Sequence, residues 1–247
     1  MDHAEYQRMF EREDRYWWFV GRRRLALGLL DRELGPARQG RKILDLGCGT
    51  GVVLQELQSS GAEATGLDFS SEALEFCQQR SLGNLVQGDA QALPFGDRTF
   101  DAILGLDVFE HIESDEKAFQ EAHRVLQPEG VLILSVPTFK WLWGPHDVAL
   151  HHFRRYTRAE MVRKLQDAGF EIVQASYAVF WLFGIVLLTR MVEKFRRGPA
   201  KAVLPRVPEW VNAWLIRLQT SEGRAIVNGT QWPVGSSVVV IARRKIE

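Results

Sequence analysis

Lys42-Ile43-Leu44-Asp45-Leu46-Gly47-Cys48-Gly49-Thr50-Gly51 carries an apolar strand straight into a turn with glycine at every second position. A strand that enters such a turn and leaves it as a helix builds a ligand site at its carboxyl end. Glycine is needed there because the main chain must bend sharply or let a ligand approach closely. The dinucleotide fingerprint asks for glycines at relative positions one, three and six. Counted from Gly47 the sixth position is Val52, and from Gly49 it is Leu54, so neither register fits. A phosphate-binding loop is excluded as well, because no Gly-Lys-Ser/Thr follows the turn. Asp45 instead sets a carboxylate beside the ligand, which suits an ammonium or sulfonium group better than a diphosphate.

Outward from this turn, short β-rich runs alternate with helical stretches, the pattern of a parallel α/β sheet. Residues 42–46, 64–68, 85–87, 101–106 and 131–136 read as strands, and 51–59, 71–80 and 115–126 as helices. Pro128-Glu129-Gly130 is the turn into the fifth strand. A helix over 158–168 is introduced by Thr157 and Glu160 at capping-box spacing and closed by Gly169. Residues 170–177 and 237–242 complete seven strands. The expected fold is a Rossmann-like α/β domain, a mostly parallel seven-stranded sheet with helices on both faces. A helical cap over 5–34 precedes it, and a helical insertion over 178–220 lies before the last strand. With 247 residues, 46% of them hydrophobic, the chain has enough apolar surface for one large domain.

The stretch Ile43-Leu44-Asp45-Leu46-Gly47-Cys48-Gly49-Thr50-Gly51 resembles motif I of the class I S-adenosylmethionine-dependent methyltransferases, in the bacterial small-molecule, type 11-like subgroup. The resemblance continues in order through Gly66-Leu67-Asp68-Phe69-Ser70, Gly88-Asp89-Ala90, Pro94-Phe95, Phe100-Asp101, and Leu126-Gln127-Pro128-Glu129-Gly130-Val131. Collinear matches are more specific than any one of them. The resemblance implies S-adenosyl-L-methionine as cofactor and S-adenosyl-L-homocysteine as product. By the same resemblance Gly47, Cys48 and Gly49 face the methionine part, with Asp45 near its amino end. Asp68 accepts from the ribose hydroxyls with Phe69 beside it, Asp89 and Ala90 meet the adenine, and Asp107 reaches the cofactor from the fourth strand.

Methyl transfer from a sulfonium is an in-line displacement, so the protein mainly holds the nucleophile close and excludes water. Acceptor residues belong at the carboxyl ends of the fourth and fifth strands. After the fourth stand Asp107, Glu110 and His111, with His111 as base and a neighbouring carboxylate as orienter, or as residues that merely pin a loop. After the fifth comes the loop 137–157, long enough to be functional. Its His152 and Arg155 are read as contacts to a polar or anionic part of the acceptor. The spacing of its histidines beside Asp147 matches no strong ligand motif, and the resembled subgroup generally works without metal, so no metal is expected.

Formal net charge is zero but uneven: 42–136 holds 16 acidic and 5 basic residues, and 151–206 holds 4 acidic and 11 basic. The basic half contains the apolar run from Ala178 to Leu188, eleven residues against the roughly twenty that span a bilayer. Beside it stand Arg190, Lys194, Arg196, Arg197 and Lys201, and further on Trp210, Val211, Trp214, Leu215 and Leu218 fall on one helical face. Such a segment suits an anionic membrane surface, a homodimer interface or an ordinary subdomain. Two cysteines without CxxC spacing and a polar, acidic N-terminus, not a secretory signal, indicate a cytoplasmic setting, peripheral to the inner membrane face if the insertion binds lipid. No basic groove and no Asn/Asp-Pro-Pro-Tyr/Phe motif point to nucleic acid.

The expectation is therefore O-methylation of a small, hydrophobic or lipid-linked acceptor. The alternatives are a catalytically silent cofactor- or partner-binding domain and, disfavoured by Val52, a nicotinamide-dependent oxidoreductase.

Overall fold

Central strand β1 (Lys42–Leu46) shows why the sheet is covered twice. Ile43 packs into one hydrophobic cluster, while Leu44 and Leu46 pack into the other. The same alternation recurs on β4 (Phe100–Leu106), where Ile103 faces one cluster and Ala102 and Leu104 the other. Successive side chains of a strand point to opposite faces, so strands apolar at every position need helices on both.

The computed structural model describes residues 3–195 and 205–245, except for the side chains of 192–195. Strand order is β3-β2-β1-β4-β5-β7-β6, with β2 at Glu63–Asp68, β3 at Leu85–Gln87, β5 at Leu126–Pro137, β6 at Phe170–Ala178 and β7 at Ser237–Arg244. The first five strands pair in parallel, and β7 runs antiparallel between β5 and β6. This is the expected seven-stranded, mostly parallel α/β sheet.

Helices α5 (Asp115–Val125) and α7 (Arg158–Asp167) supply Phe119, Met161 and Leu165 to one cluster. Helices α2 (Trp17–Leu34), α3 (Val52–Ser59) and α9 (Glu209–Val227) supply Leu30, Leu54 and Ile226 to the other. Helix α4 (Ser71–Gln79) is capped by Ser70, whose hydroxyl accepts from Ala73 N, and α7 by Thr157, which accepts from Glu160 N. These caps match their residue types.

Four local expectations change. The N-terminal cap is two helices, α1 (His3–Arg12) and α2, separated where Glu13 turns inward to meet Arg80. Pro128-Glu129-Gly130 does not precede β5 but interrupts it: pairing with β4 jumps from Phe100↔Leu126 to Ala102↔Val131, and Glu129 has φ +64. The loop 137–157 contains a turn of helix at Lys140–Leu142 and helix α6 (Pro145–Ala149). On α9, Leu215 is buried with Val211 and Leu218 packed beside it, whereas Trp210 is 76% exposed and Trp214 55%. The single apolar face read from the sequence is thus two faces, one inward and one outward.

The insertion comprises α8 (Phe183–Phe195) and α9; Arg196, Arg197 and Lys201 lie outside the described residues. Glu222, buried in α9, accepts from the amides of Phe180 and Trp181 at 3.0 and 3.1 Å and so fixes the start of the insertion. Helix α2 lies on α9 through small residues. A Cβ on Gly21 would stand 2.8 Å from Cβ of Gln219, and one on Gly28 would stand 3.1 Å from Val227. Gly184 on α8 has nothing within 4 Å of such a Cβ. Gly21→Val is therefore expected to lower stability by about 1–3 kcal/mol in urea unfolding through overpacking. Gly184→Ala should raise it by about 0.5–1 kcal/mol through lost backbone freedom. Equal effects of the two would contradict this close helix crossing.

Candidate active site

The carboxyl ends of β1 to β5 converge on one rim, where Asp45, Asp68, Asp89, Asp107 and Thr138 arrive from neighbouring strands or the loops after them. Gly47, Gly49 and Gly51 have φ of +69, +55 and +90, a region that side chains disfavour. Space makes the same demand. A Cβ on Gly47 would run into Val108, and one on Gly49 would stand 2.8 Å from Met9 Cε. The amides of Gly47 and Cys48 donate to Leu67 O at 2.8 and 3.0 Å, binding the turn to the end of β2.

Asp45 is 3% exposed, and its Oδ2 is buried without a hydrogen-bond partner. Burial, with Asp68 nearby, raises its pKa to about 7, against the pull of Arg22. An unpartnered buried carboxylate oxygen beside a side-chain-free turn fits a ligand that brings a cationic group, as S-adenosylmethionine does. Asp68 is held by the turn itself, accepting from Gly49 N and Ser70 N at 2.9 Å each, and burial raises its pKa. Phe69, 76% exposed, stands on the rim next to it. Asp89 accepts from Gln91 N at 2.9 Å, and Ala90 is buried beside it. Cys48 and Cys77 are free thiols with sulfurs 4.0 Å apart; Cys48 is buried under the turn.

At the end of β4, Asp107 adopts φ +54 and is held from two elements. Ser135 Oγ donates to its Oδ1 at 2.9 Å, and Arg22 from α2 forms an ion pair with its Oδ2. Next follows the one-turn helix Phe109–His111. It places Glu110 at 1% exposure, with Oε2 unpartnered, and sets the His111 ring edge-on to that of His152, centroids 4.6 Å apart. Burial, with Asp107 beside it, pushes the Glu110 carboxyl well above the usual range. Burial, aided by His152, lowers His111 to about 3. His111 is therefore a neutral imidazole near pH 7 and a weak base, which removes much of the ground for its reading as proton acceptor.

Arg155 is placed differently from its expected role. It is 4% exposed and grips Asp147 with two hydrogen bonds, Nε to Oδ1 at 2.8 Å and NH2 to Oδ2 at 3.0 Å, and its NH1 donates to Thr138 O. Three of its N–H donors are thus engaged inside the loop, which gives Arg155 a part in ordering that loop. His152 joins the same carboxylate, Nδ1 to Asp147 Oδ1 at 2.9 Å. Although burial pushes Asp147 up, the hydrogen bonds from His152 and Arg155 hold it below the usual carboxylate range.

The sequence reading missed several participants. Glu13, buried, accepts from Thr50 of the glycine turn and pairs with Arg80 at 2.8 Å, which locks the N-terminal cap onto the site. Met9 covers Gly49, and Arg22 reaches Asp107. Within the run Arg22-Arg23-Arg24 nothing in the sequence distinguishes Arg22. A cleft beside Asp107 is bounded by Trp18, Arg22, Ser135, Val179 and Glu222, with the insertion as one wall. Trp17 and Trp18 of the aromatic run pack against the adjoining core cluster.

Comparison with known proteins agrees with this geometry. A family described as methyltransferase domain matches residues 44–134. A malonyl-[acyl-carrier protein] O-methyltransferase of Enterobacter lignolyticus is 33% identical over 130 residues, covering 50% of this chain and 52% of that protein. A demethylmenaquinone methyltransferase of Staphylococcus epidermidis is 37% identical over 120 residues, covering 43% of this chain and 50% of its own length. The chain thus spans about half the length of the curated relatives it matches. Among solved structures, a chain from the complex of the Haloferax volcanii Trm112 methyltransferase activator with a methyltransferase shares the fold. Its TM-score is 0.63 at 20% identity, over 99% of this chain and 95% of that one. Residues 44–134 thus match a methyltransferase domain, and the glycine turn with Asp45, Asp68, Asp89 and Asp107 lies within that stretch.

Proposed function

We propose that this chain methylates an oxygen of a small, hydrophobic or lipid-linked acceptor with S-adenosylmethionine as donor. The observation that carries the cofactor assignment is the buried, unpartnered Oδ2 of Asp45 beside three left-handed glycines. Gly47, Cys48 and Gly49 would hold the methionine part, Asp68 and Phe69 the ribose, and Asp89 and Ala90 the adenine. When bound, the cofactor supplies an activated methyl on a sulfonium. The chain's own task is to place an acceptor in line with it and keep water out.

Asp107 stands where both sides of an acceptor site meet. On one side lies a narrow, mostly apolar cleft at Trp18, Arg22 and Val179, which the apolar body of an acceptor would have to widen to enter. On the other lie Glu110, His111 and His152, suited to the reacting oxygen. Arg155 acts as a positioning residue through Asp147 and His152. Support for a hydrophobic acceptor comes from the apolar cleft and from a relative named for demethylmenaquinone; support for oxygen comes from one named as an O-methyltransferase.

Contact with a membrane surface is part of this proposal. Trp181, Ile185, Leu188 and Met191 on and before α8 are exposed, as are Trp210 and Trp214 on α9, with Arg190 on the same helix as the first group. Apolar and aromatic side chains beside a cation suit a helix lying on anionic lipid. Among the described residues no helix is long and apolar enough to cross a membrane.

Three outcomes test the proposal. A folded-state pKa of about 7 makes the neutral Asp45 acid the favoured form below that pH. Its contribution to folding is full in acid and lost as pH rises through about 7, whereas an ammonium-bearing ligand needs the ionised form. Calorimetric affinity for S-adenosylmethionine should therefore rise about fivefold from pH 6 to 7, and Asp45→Asn should flatten that rise. With radiolabelled methyl donor and cell lipid and metabolite extracts as acceptor pool, His111→Ala and His152→Ala should each slow labelling at least tenfold while leaving cofactor affinity unchanged; unaltered labelling in both would remove the acceptor site. Sedimentation with anionic liposomes at low salt should pull the chain down, and Trp210→Ser/Trp214→Ser should release it. Concentration-dependent self-association without lipid binding would assign that face to a homodimer instead.

A further inference from the structure

Glu110, His111 and His152 bring a carboxylate oxygen and two ring nitrogens within 4.8 Å of one another. Each has a reason to face that point. Glu110 Oε2 is buried and has no hydrogen-bond partner, a costly state unless a cation or donor from outside meets it. His152 turns Nδ1 to Asp147 at 2.9 Å, which leaves Nε2 to offer its lone pair. The His111 ring stands edge-on to that of His152, centroids 4.6 Å apart, with one of its nitrogens in the cluster. Asp147 is itself fixed by Arg155 and by the amide of Gly144 at 2.9 Å.

We infer that Glu110, His111 and His152 form a binding site for a divalent first-row transition metal, with a coordination position left open. Two imidazoles and one carboxylate form a donor set that Zn2+ takes at sites open to substrate, and that Fe2+ takes as a facial triad. Mg2+ and Ca2+ prefer oxygen ligands throughout. An imidazole whose other nitrogen is held by a carboxylate, as His152 is by Asp147, is oriented as metal-ligating histidines are. Donors at about 2.1 Å from Zn2+ stand about 3.4 Å apart, so the three side chains would draw together from their present spacing on binding.

The sequence argued against this site because ligand motifs are recognised by spacing. Here two ligands are adjacent, and the third lies forty-one residues on from His111, brought back by the loop that Arg155 and Asp147 hold together. Metal binding itself does not depend on methyl transfer. Only the use of the open position rests on the proposal above: there a metal would hold the acceptor oxygen and favour loss of its proton to water.

The test is titration of the chelator-stripped, cofactor-free chain with Zn2+ against a competing chelating dye. One Zn2+ per chain is expected, bound at least tenfold more weakly by Glu110→Gln and His152→Ala. Asp147→Asn should weaken it about 10–100-fold through the outer shell, and exposed His151→Ala should leave it unchanged. Near-ultraviolet circular dichroism checks folding, and His111→Asn replaces any variant that fails. The visible d–d bands of the Co2+-loaded chain give a second readout, expected in the wild type and lost in His111→Asn. No saturable binding by the wild type, or equal affinity in the Glu110, His111 and His152 variants, would overturn the site. Normal metal binding with no methyl transfer would leave it standing and sink only the acceptor proposal.

Discussion

A backbone that must pass close to a ligand leaves no room for side chains, and the surrounding structure is built on that vacancy. At Gly47, Gly49 and Gly51 the positive φ values and the missing Cβ atoms let Val108, Met9 and Leu82 close in from three different parts of the chain. The amides freed by the turn are not idle. Gly47 and Cys48 donate to Leu67, and Gly49 donates to Asp68, so the first two strands are tied together where the ligand would lie. Any side chain at Gly47 would both strain the backbone and drive away the loop that carries Asp107.

A second constraint governs the other half of the rim, the compensation of buried charge. Asp147, with no exposed surface, is met by Arg155, His152 and the amide of Gly144. Asp115, equally buried, is met by Arg154, Lys164 and the hydroxyl of Tyr156 at 2.8 Å. Buried ion pairs add little net stability, but breaking one leaves an uncompensated charge that is strongly unfavourable. The two networks therefore hold the segment between β5 and α7 in one arrangement. Glu110 stands apart from both, buried like them yet with an oxygen that nothing satisfies.

The N-terminal helices and the insertion complete the site from outside the sheet. Glu13 and Arg80 clamp α1 near the glycine turn, Arg22 of α2 meets Asp107, and Glu222 of α9 holds the start of the insertion. The close approach of α2 and α9 at Gly21 and Gly28 makes these pieces one wall. In the proposed reaction the acceptor would thus meet the segments attached to the sheet, and the cofactor the sheet itself.

Local chemistry and periodicity were enough to determine much of this from the sequence alone. Alternation of apolar residues marked the strands, Ser70 and Thr157 marked helix starts, and three alternate glycines marked the tight turn after β1, because each depends on neighbours a few residues away. Glu129 within β5 and the break at Glu13 escaped notice because pairing with β4 and the charge of Arg80 decide them. Arg155 looked like an acceptor contact until the fold supplied Asp147, and Trp210 looked equivalent to Leu215 until packing separated them. Only the tertiary structure brought His152 to His111 and left Glu110 without a partner, since burial and pairing between distant residues are properties of the packed chain and are not written in any local pattern.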